Sequence, residues 1–192
     1  MAKKTCKGLT YAPYAAGGDG TAVTYSAGKA KLDYLCQVQI NESRSDEKEY
    51  ADGHQIDSDN SLSSVALVLE LANNDADLKK ELLGHVAGTG DALVVTDADA
   101  PFVGLGFILC NRHKGVETYE GYWFYKVQCA SAGITSSTKR DTANWEHENI
   151  NGSCSGVIVE SAGRPRYYEH LDGQATEALV RTWLNAKAGI SP

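Results

Sequence analysis

The chain lacks any apolar run near the roughly 18 residues that a membrane-spanning helix needs. Its longest runs, Val65–Leu69 and Phe102–Cys110, are far shorter, so no spanning helix is expected. A secretory leader is missing too: Met-Ala-Lys-Lys-Thr-Cys-Lys is basic but leads into Gly8 and polar residues instead of an apolar stretch, and the expected compartment is the cytosol. No Cys-x-x-Cys pair occurs, and the five cysteines (Cys6, Cys36, Cys110, Cys129, Cys154) are odd in number and irregularly spaced. A disulfide scaffold and a zinc site are therefore not expected, and most of these thiols read as small buried hydrophobes. Net positive charge is absent as well. The formal charge of −7 and a pI of about 5.2 exclude a protein that grips phosphates with a basic face. An acidic wall can still line a channel for DNA, because repulsion prevents sticking.

Catalytic constellations are also missing from the sequence. Gly152-Ser153-Cys154-Ser155-Gly156 has the outline of a nucleophile elbow, but its centre is cysteine and Val157-Ile158-Val159 reads as a strand where a helix is required, so a turn into a strand is expected. Asp57-Ser58-Asp59 and Asp97-Ala98-Asp99 do not continue into a calcium loop. The five histidines (His54, His85, His113, His147, His170) have no partner at metal-ligand spacing. Gly104-x-Gly106 lacks the third glycine of a phosphate loop and lies in a strand pattern. Neither an enzyme, a metal nor a cofactor is expected.

What is present, in 192 residues with 42% hydrophobic and 22% charged content, is enough apolar material for one domain spanning 1–192. Period-two alternation dominates. Leu32, Tyr34, Cys36, Val38 and Ile40 share one face of a strand over Lys31–Ile40; Val65, Leu67, Leu69 and Leu71 share another; Val103, Leu105, Phe107 and Leu109 a third. Gly121–Ala130 alternates Trp123, Tyr125, Val127 and Cys129 with Tyr122, Phe124, Lys126 and Gln128, a strand wanted on both faces. Further strands are expected around Tyr11, Ala22–Tyr25, Ala92–Thr96, Trp145–Ile150 and Gly156–Glu160. Two helices interrupt them. One runs over Ala76–Leu83, capped by Asn74 or Asp75 and ended by Gly84; the other over Thr176–Lys187 carries the stripe Leu179, Val180, Trp183 and Leu184. The fold class is mainly β.

Asn41–Asn60 stands apart. It holds seven acidic residues (Glu42, Asp46, Glu47, Glu49, Asp52, Asp57, Asp59) against Arg44 and Lys48, with Tyr50 among its few apolar residues. Such a segment cannot enter a core and must project as a long hairpin or loop, either solvated or ordered on assembly.

Blocks of the sequence, in order, resemble the major tail (tail tube) proteins of long non-contractile-tailed bacteriophages. They are Gly8-Leu-Thr-Tyr-Ala-Pro-Tyr with the turn Gly20-Thr21, Glu49-Tyr50-Ala51-Asp52-Gly53, and Leu78-x-x-x-Leu82-Leu83-Gly84-His85. Asp97-Ala-Asp-Ala-Pro101 with Phe102-Val-Gly-Leu-Gly-Phe107 follows, then Trp123-Phe-Tyr-Lys126, Thr138-Lys139-Arg140-Asp141, and the helix Glu177–Ala186 around Trp183. Cys110–Tyr119 and Ser131–Ser137 lie outside the likeness. The resemblance implies a tail-tube-type β-sandwich or small β-barrel with a flanking α-helix and a long projecting loop at about 41–60. It also implies self-assembly into stacked hexameric rings through which genomic DNA reaches the host. Implied partners are copies of the chain, tape measure, distal tail and terminator proteins, and DNA passing without specific binding; no membrane is involved. The implied location is the virion tail, after assembly in the bacterial host cytoplasm. Glu42, Arg44, Asp46, Glu47, Lys48, Glu49, Tyr50, Asp52, Asp57 and Asp59 would form the oligomerisation or lumen loop. Two alternatives remain: a soluble β-sandwich binding module with Trp123, Tyr125 and Trp145 as contact aromatics, and a secretion-system tube protein.

Overall fold

In the computed structural model, residues 3–26, 28–31, 35–52, 54–72, 75–90, 92–133, 147–160 and 163–190 are described. The strands are β1 (Lys3–Gly18), β2 (Thr21–Tyr25), β3 (Lys29–Lys31), β4 (Leu35–Arg44), β5 (Glu47–Ala51), β6 (His54–Asp59) and β7 (Leu62–Leu71). After the helix α1 (Ala76–Leu83) come β8 (Val86–Ala87), β9 (Leu93–Val94), β10 (Phe102–His113), β11 (Val116–Ser131), β12 (Glu148–Cys154), β13 (Tyr168–Gln174) and the helix α2 (Glu177–Ala188). The protein is mainly β, built on one large antiparallel sheet in the order β2-β1-β10-β11-β12-β7-β4, with β3 added to β1 and β13 to β11. Within the described residues no helix is long and apolar enough to cross a membrane.

The sheet curls until its ends meet. The Cys6 thiol on β1 donates to the Cys36 carbonyl on β4 at 3.1 Å, yet among the described residues no backbone ladder joins these strands. The result is a barrel with one open seam. Its interior holds Leu9, Tyr11, Leu35, Val65, Leu67, Leu69, Leu71, Val103, Leu105, Phe107, Phe124, Val127 and Ile150, with Leu78 and Leu82 of α1 closing it. A second core lies on the outer face of β10 and β11, where α2 lays Val180, Leu184 and Ala188 over Ile108, Trp123 and Tyr125. Gly104 and Gly106 make that contact possible. A Cβ on Gly104 would sit 2.5 Å from the Trp123 ring, and one on Gly106 2.7 Å from both Leu184 and Trp123. The glycine pair that outlines a phosphate loop in the sequence thus serves close packing.

Two faces differ from the expected alternation, and bulges are the cause. Leu105 pairs with Phe124 but Val103 with Val127, so β11 carries one extra residue there. Phe124, Val127 and Cys129 therefore point into the barrel while Trp123 and Tyr125 face α2, dividing a face that strict alternation keeps together. On β4 the register shifts between Leu35 and Gln37, which buries Leu35 and exposes Cys36, opposite to the expected pattern; Leu32 and Tyr34 lie outside the described residues.

Other expectations are also corrected. Gly152–Cys154 is the end of β12, not a turn, and Gly156–Glu160 contributes a single bridge, Val157 to Arg166. Burial pushes the thiols of Cys154 and Cys129 up to about 12, which leaves them inert at neutral pH. On α2, Leu179 is 53% exposed, and the buried stripe is Val180, Leu184 and Ala188. Strand β13 had no signal in the alternation. Asn74, Trp145 and Thr138–Asp141 lie outside the described residues.

The helices end as their sequences require. Asp75 accepts from the Leu78 amide at 2.8 Å and Gly84 closes α1 at φ 71°. Asp75→Ala is expected to lower stability by about 1 kcal/mol, the usual worth of such a cap, measurable as a lower urea midpoint at unchanged slope.

The C-terminal end of α2 is held to β13 by Lys187, whose ammonium lies 2.6 Å from Glu169. Tyr125 also donates to that carboxylate at 2.6 Å. Burial alone would raise the Glu169 pKa, but these two donors outweigh it and hold the group below its ordinary value. A carboxylate depressed on folding contributes stability above its unfolded pKa and loses it as pH falls through the folded one. Acid titration of stability from about pH 7 to about pH 3 should accordingly be shallower in Glu169→Gln than in the parent.

Candidate functional site

The acidic segment folds as an extension of its flanking strands. β4 and β7 pair as far as Arg44 and Leu62, the Ser45 amide donates to the Ser61 carbonyl at 2.8 Å, and β5 and β6 continue outward as a two-stranded hairpin. Every described residue of β5 and β6 is exposed. The residues expected to form an oligomerisation loop are distributed along it. Glu42 and Arg44 lie at its base on β4, Asp46 at the junction, Glu47, Lys48, Glu49 and Tyr50 on β5, Asp52 just after β5 at φ 52°, and Asp57 and Asp59 on β6. Gly53 lies outside the described residues.

Its electrostatics are unusual for a hairpin that must hold itself together. Glu47 stands opposite Asp59 and Glu49 opposite Asp57, two like-charged cross-strand pairs that oppose the pairing they sit on. Among the described residues Lys48 pairs with Asp46, at 3.3 Å, and Arg44 with Glu42, at 3.4 Å. Farther out, Tyr50 and Ile56 are 63% and 58% exposed. Among the described residues the arm is fastened to the barrel at its base: the Tyr168 hydroxyl on β13 donates to Glu42 at 2.5 Å, and this bond first, then burial, pushes the phenol up to about 12. The arm thus presents acid and isolated apolar side chains away from the body.

Elsewhere, side chains distant in sequence converge in ways spacing could not reveal. Cys36 Sγ lies 3.8 Å from His147 Nε2, and His147 Nδ1 lies 2.7 Å from Glu70 on β7. Glu120, His170 and Asp172 bring their donor atoms within 4.8 Å of one another where β11 meets β13. There the Lys4 ammonium already stands 3.5 Å from Glu120, Asn111 donates to the same carboxylate, and His170 stacks on Tyr122 at 4.3 Å. That buried carboxylate is accounted for by protein donors.

The aromatics expected to contact a ligand in a binding module are placed differently. Trp123 is fully buried and Tyr125 nearly so, both behind α2, while Trp145 lies outside the described residues. No protein-family model matches the chain, and no curated protein sequence matches it.

Proposed function

We propose that the protein is a structural subunit that assembles with copies of itself into stacked hexameric rings, forming a phage tail tube that conducts genomic DNA to the host. The observation that carries this reading is the β5–β6 arm. It extends a barrel strand pair into solvent, exposes Tyr50 and Ile56, and bears opposed acidic pairs that a cationic or donor-rich neighbour would relieve. A barrel with two demanding faces, a docked α2 and an arm at about 41–60 agrees with what the sequence resemblance implies. Net charge of −7 suits a wall past which DNA slides without binding. Its partners are then other copies, ring on ring, together with the tape measure, distal tail and terminator proteins, and its place is the virion tail. Copies purified from cytosol and viewed by negative-stain electron microscopy over a range of concentrations should form rings or hollow tubes. Monomers alone at the highest concentration would refute the assembly.

A further inference from the structure

The seam between β1 and β4 carries a second feature, apart from the arm. A groove of about 560 Å³ runs along it, lined by Lys4, Cys6, Cys36, Val38, Ile40 and Leu109 among others. Cys6 and Cys36 stand on its two banks: the Cys6 thiol reaches the Cys36 carbonyl at 3.1 Å, so the two residues are immediate neighbours across the gap. Cys36 is exposed and Cys6 half-buried. Beyond Cys36 lies the His147–Glu70 pair. The Glu70 carboxylate 2.7 Å from Nδ1 holds the imidazole with its proton on that nitrogen, leaving Nε2 as the acceptor that faces Cys36 Sγ at 3.8 Å. Nucleophile, base and orienting carboxylate thus stand in line, with a second thiol beside the nucleophile.

We propose that Cys36 is a reactive thiol that exchanges with low-molecular-weight disulfides, with Cys6 as the resolving thiol, so that a Cys6–Cys36 bond reversibly locks the β1–β4 seam. In the first step Cys36 Sγ attacks one sulfur of glutathione disulfide while its proton passes to His147 Nε2. The glutathione S–S bond breaks, a Cys36–glutathione mixed disulfide forms, and the departing glutathione thiolate takes the proton from His147. In the second step Cys6 Sγ attacks the Cys36 sulfur, its proton follows the same route, and the second glutathione leaves. Two protein thiols are oxidised to one disulfide and one glutathione disulfide is reduced to two thiols. The order of attack follows exposure, since burial, the largest influence on Cys6, raises its pKa and makes it the poorer first nucleophile. Among the described residues, the titratable groups around Cys36 are Cys6 and Lys4 from β1, Glu70 from β7, and His147.

The test treats the purified full chain with glutathione disulfide and maps its cysteines by non-reducing peptide mass spectrometry. The expected product joins Cys6 to Cys36 and is reversed by dithiothreitol. Cys6→Ser should stop at the Cys36–glutathione adduct, and Cys36→Ser should leave Cys6 unmodified. Alkylation of Cys36 by iodoacetamide near neutral pH should slow roughly 100-fold or more in His147→Ala, the low end of what a positioned base supplies. A wild-type product in which Cys36 carries glutathione while Cys6 stays free would overturn the lock. An alkylation profile unchanged by His147→Ala would overturn the assisted thiol. Cys36 and His147 are exposed and Cys6 half-buried, and all three variants are read in the folded chain, whether or not it forms tubes.

Discussion

Trp123→Ala is expected to lower stability by about 3–5 kcal/mol, the cost of emptying a fully buried indole site. For a chain of this size that is a fall in melting temperature on the order of 10 °C, readable by circular dichroism. The ring is fully buried between β10 and α2, meets Tyr25 edge-on at 5.3 Å, and its N–H donates to the Tyr25 hydroxyl at 3.2 Å. The loss therefore includes packing, an aromatic contact and a hydrogen bond. Gly106→Ala tests the same contact from the other side, since its Cβ would lie 2.7 Å from the indole and from Leu184. Alone it should cost about 1–3 kcal/mol through overpacking. Combined with Trp123→Ala, which vacates part of that space, it should cost clearly less than the sum of the two. Additive losses would mean that the glycine is not there to admit the ring.

The second large effect is on assembly. Replacing residues 46–59 with a short glycine-containing turn is expected to leave the thermal transition of the monomer nearly unchanged, because the removed strands are exposed throughout and the ladder beneath them closes at Ser45 and Ser61. Rings and tubes should disappear from electron micrographs at every concentration. Unimpaired tubes from the shortened chain would show that the arm bridges nothing. A milder variant separates charge from length: Glu49→Lys turns a repelling pair with Asp57 into an attracting one and should firm the free arm by roughly 0.2–1 kcal/mol.

Much of the fold was legible because burial on one face writes itself into period two. Val65, Leu67, Leu69 and Leu71 on β7, and Val103, Leu105 and Phe107 on β10, fall on the barrel interior as the alternation requires. The caps at Asp75 and Gly84 were equally readable, since local hydrogen bonding and a left-handed residue fix them. The bulges in β4 and β11 were not, because one inserted residue flips every side chain beyond it and leaves no mark in composition. β13 escaped for a related reason: Tyr168–Gln174 pairs through its backbone at the rim of β11, with few apolar residues to betray a face. The arm was legible as an excluded acidic segment, whereas its opposed charges became visible only with the register of β5 against β6. Cys36, His147 and Glu70 could not be joined from sequence at all. Their separations of 111 and 77 residues are bridged by strand order alone.

The sharing of β10 and β11 by two hydrophobic cores has a consequence for how the molecule comes apart. Phe107 and Phe124 face the barrel while Ile108 and Trp123, their immediate neighbours, face α2. Neither core can dissolve without stripping the strands on which the other rests, so α2 is bound into the same cooperative unit as the barrel and unfolds with it. The two strands are also joined by the tightest of links, Lys114 and Gly115 at φ 48° and 84°, which brings both cores' templates together for the least loss of chain entropy. That hairpin is expected to form early in folding and the long-range closure of β4 toward β1 late, which φ-values high in β10–β11 and near zero in β4 would show.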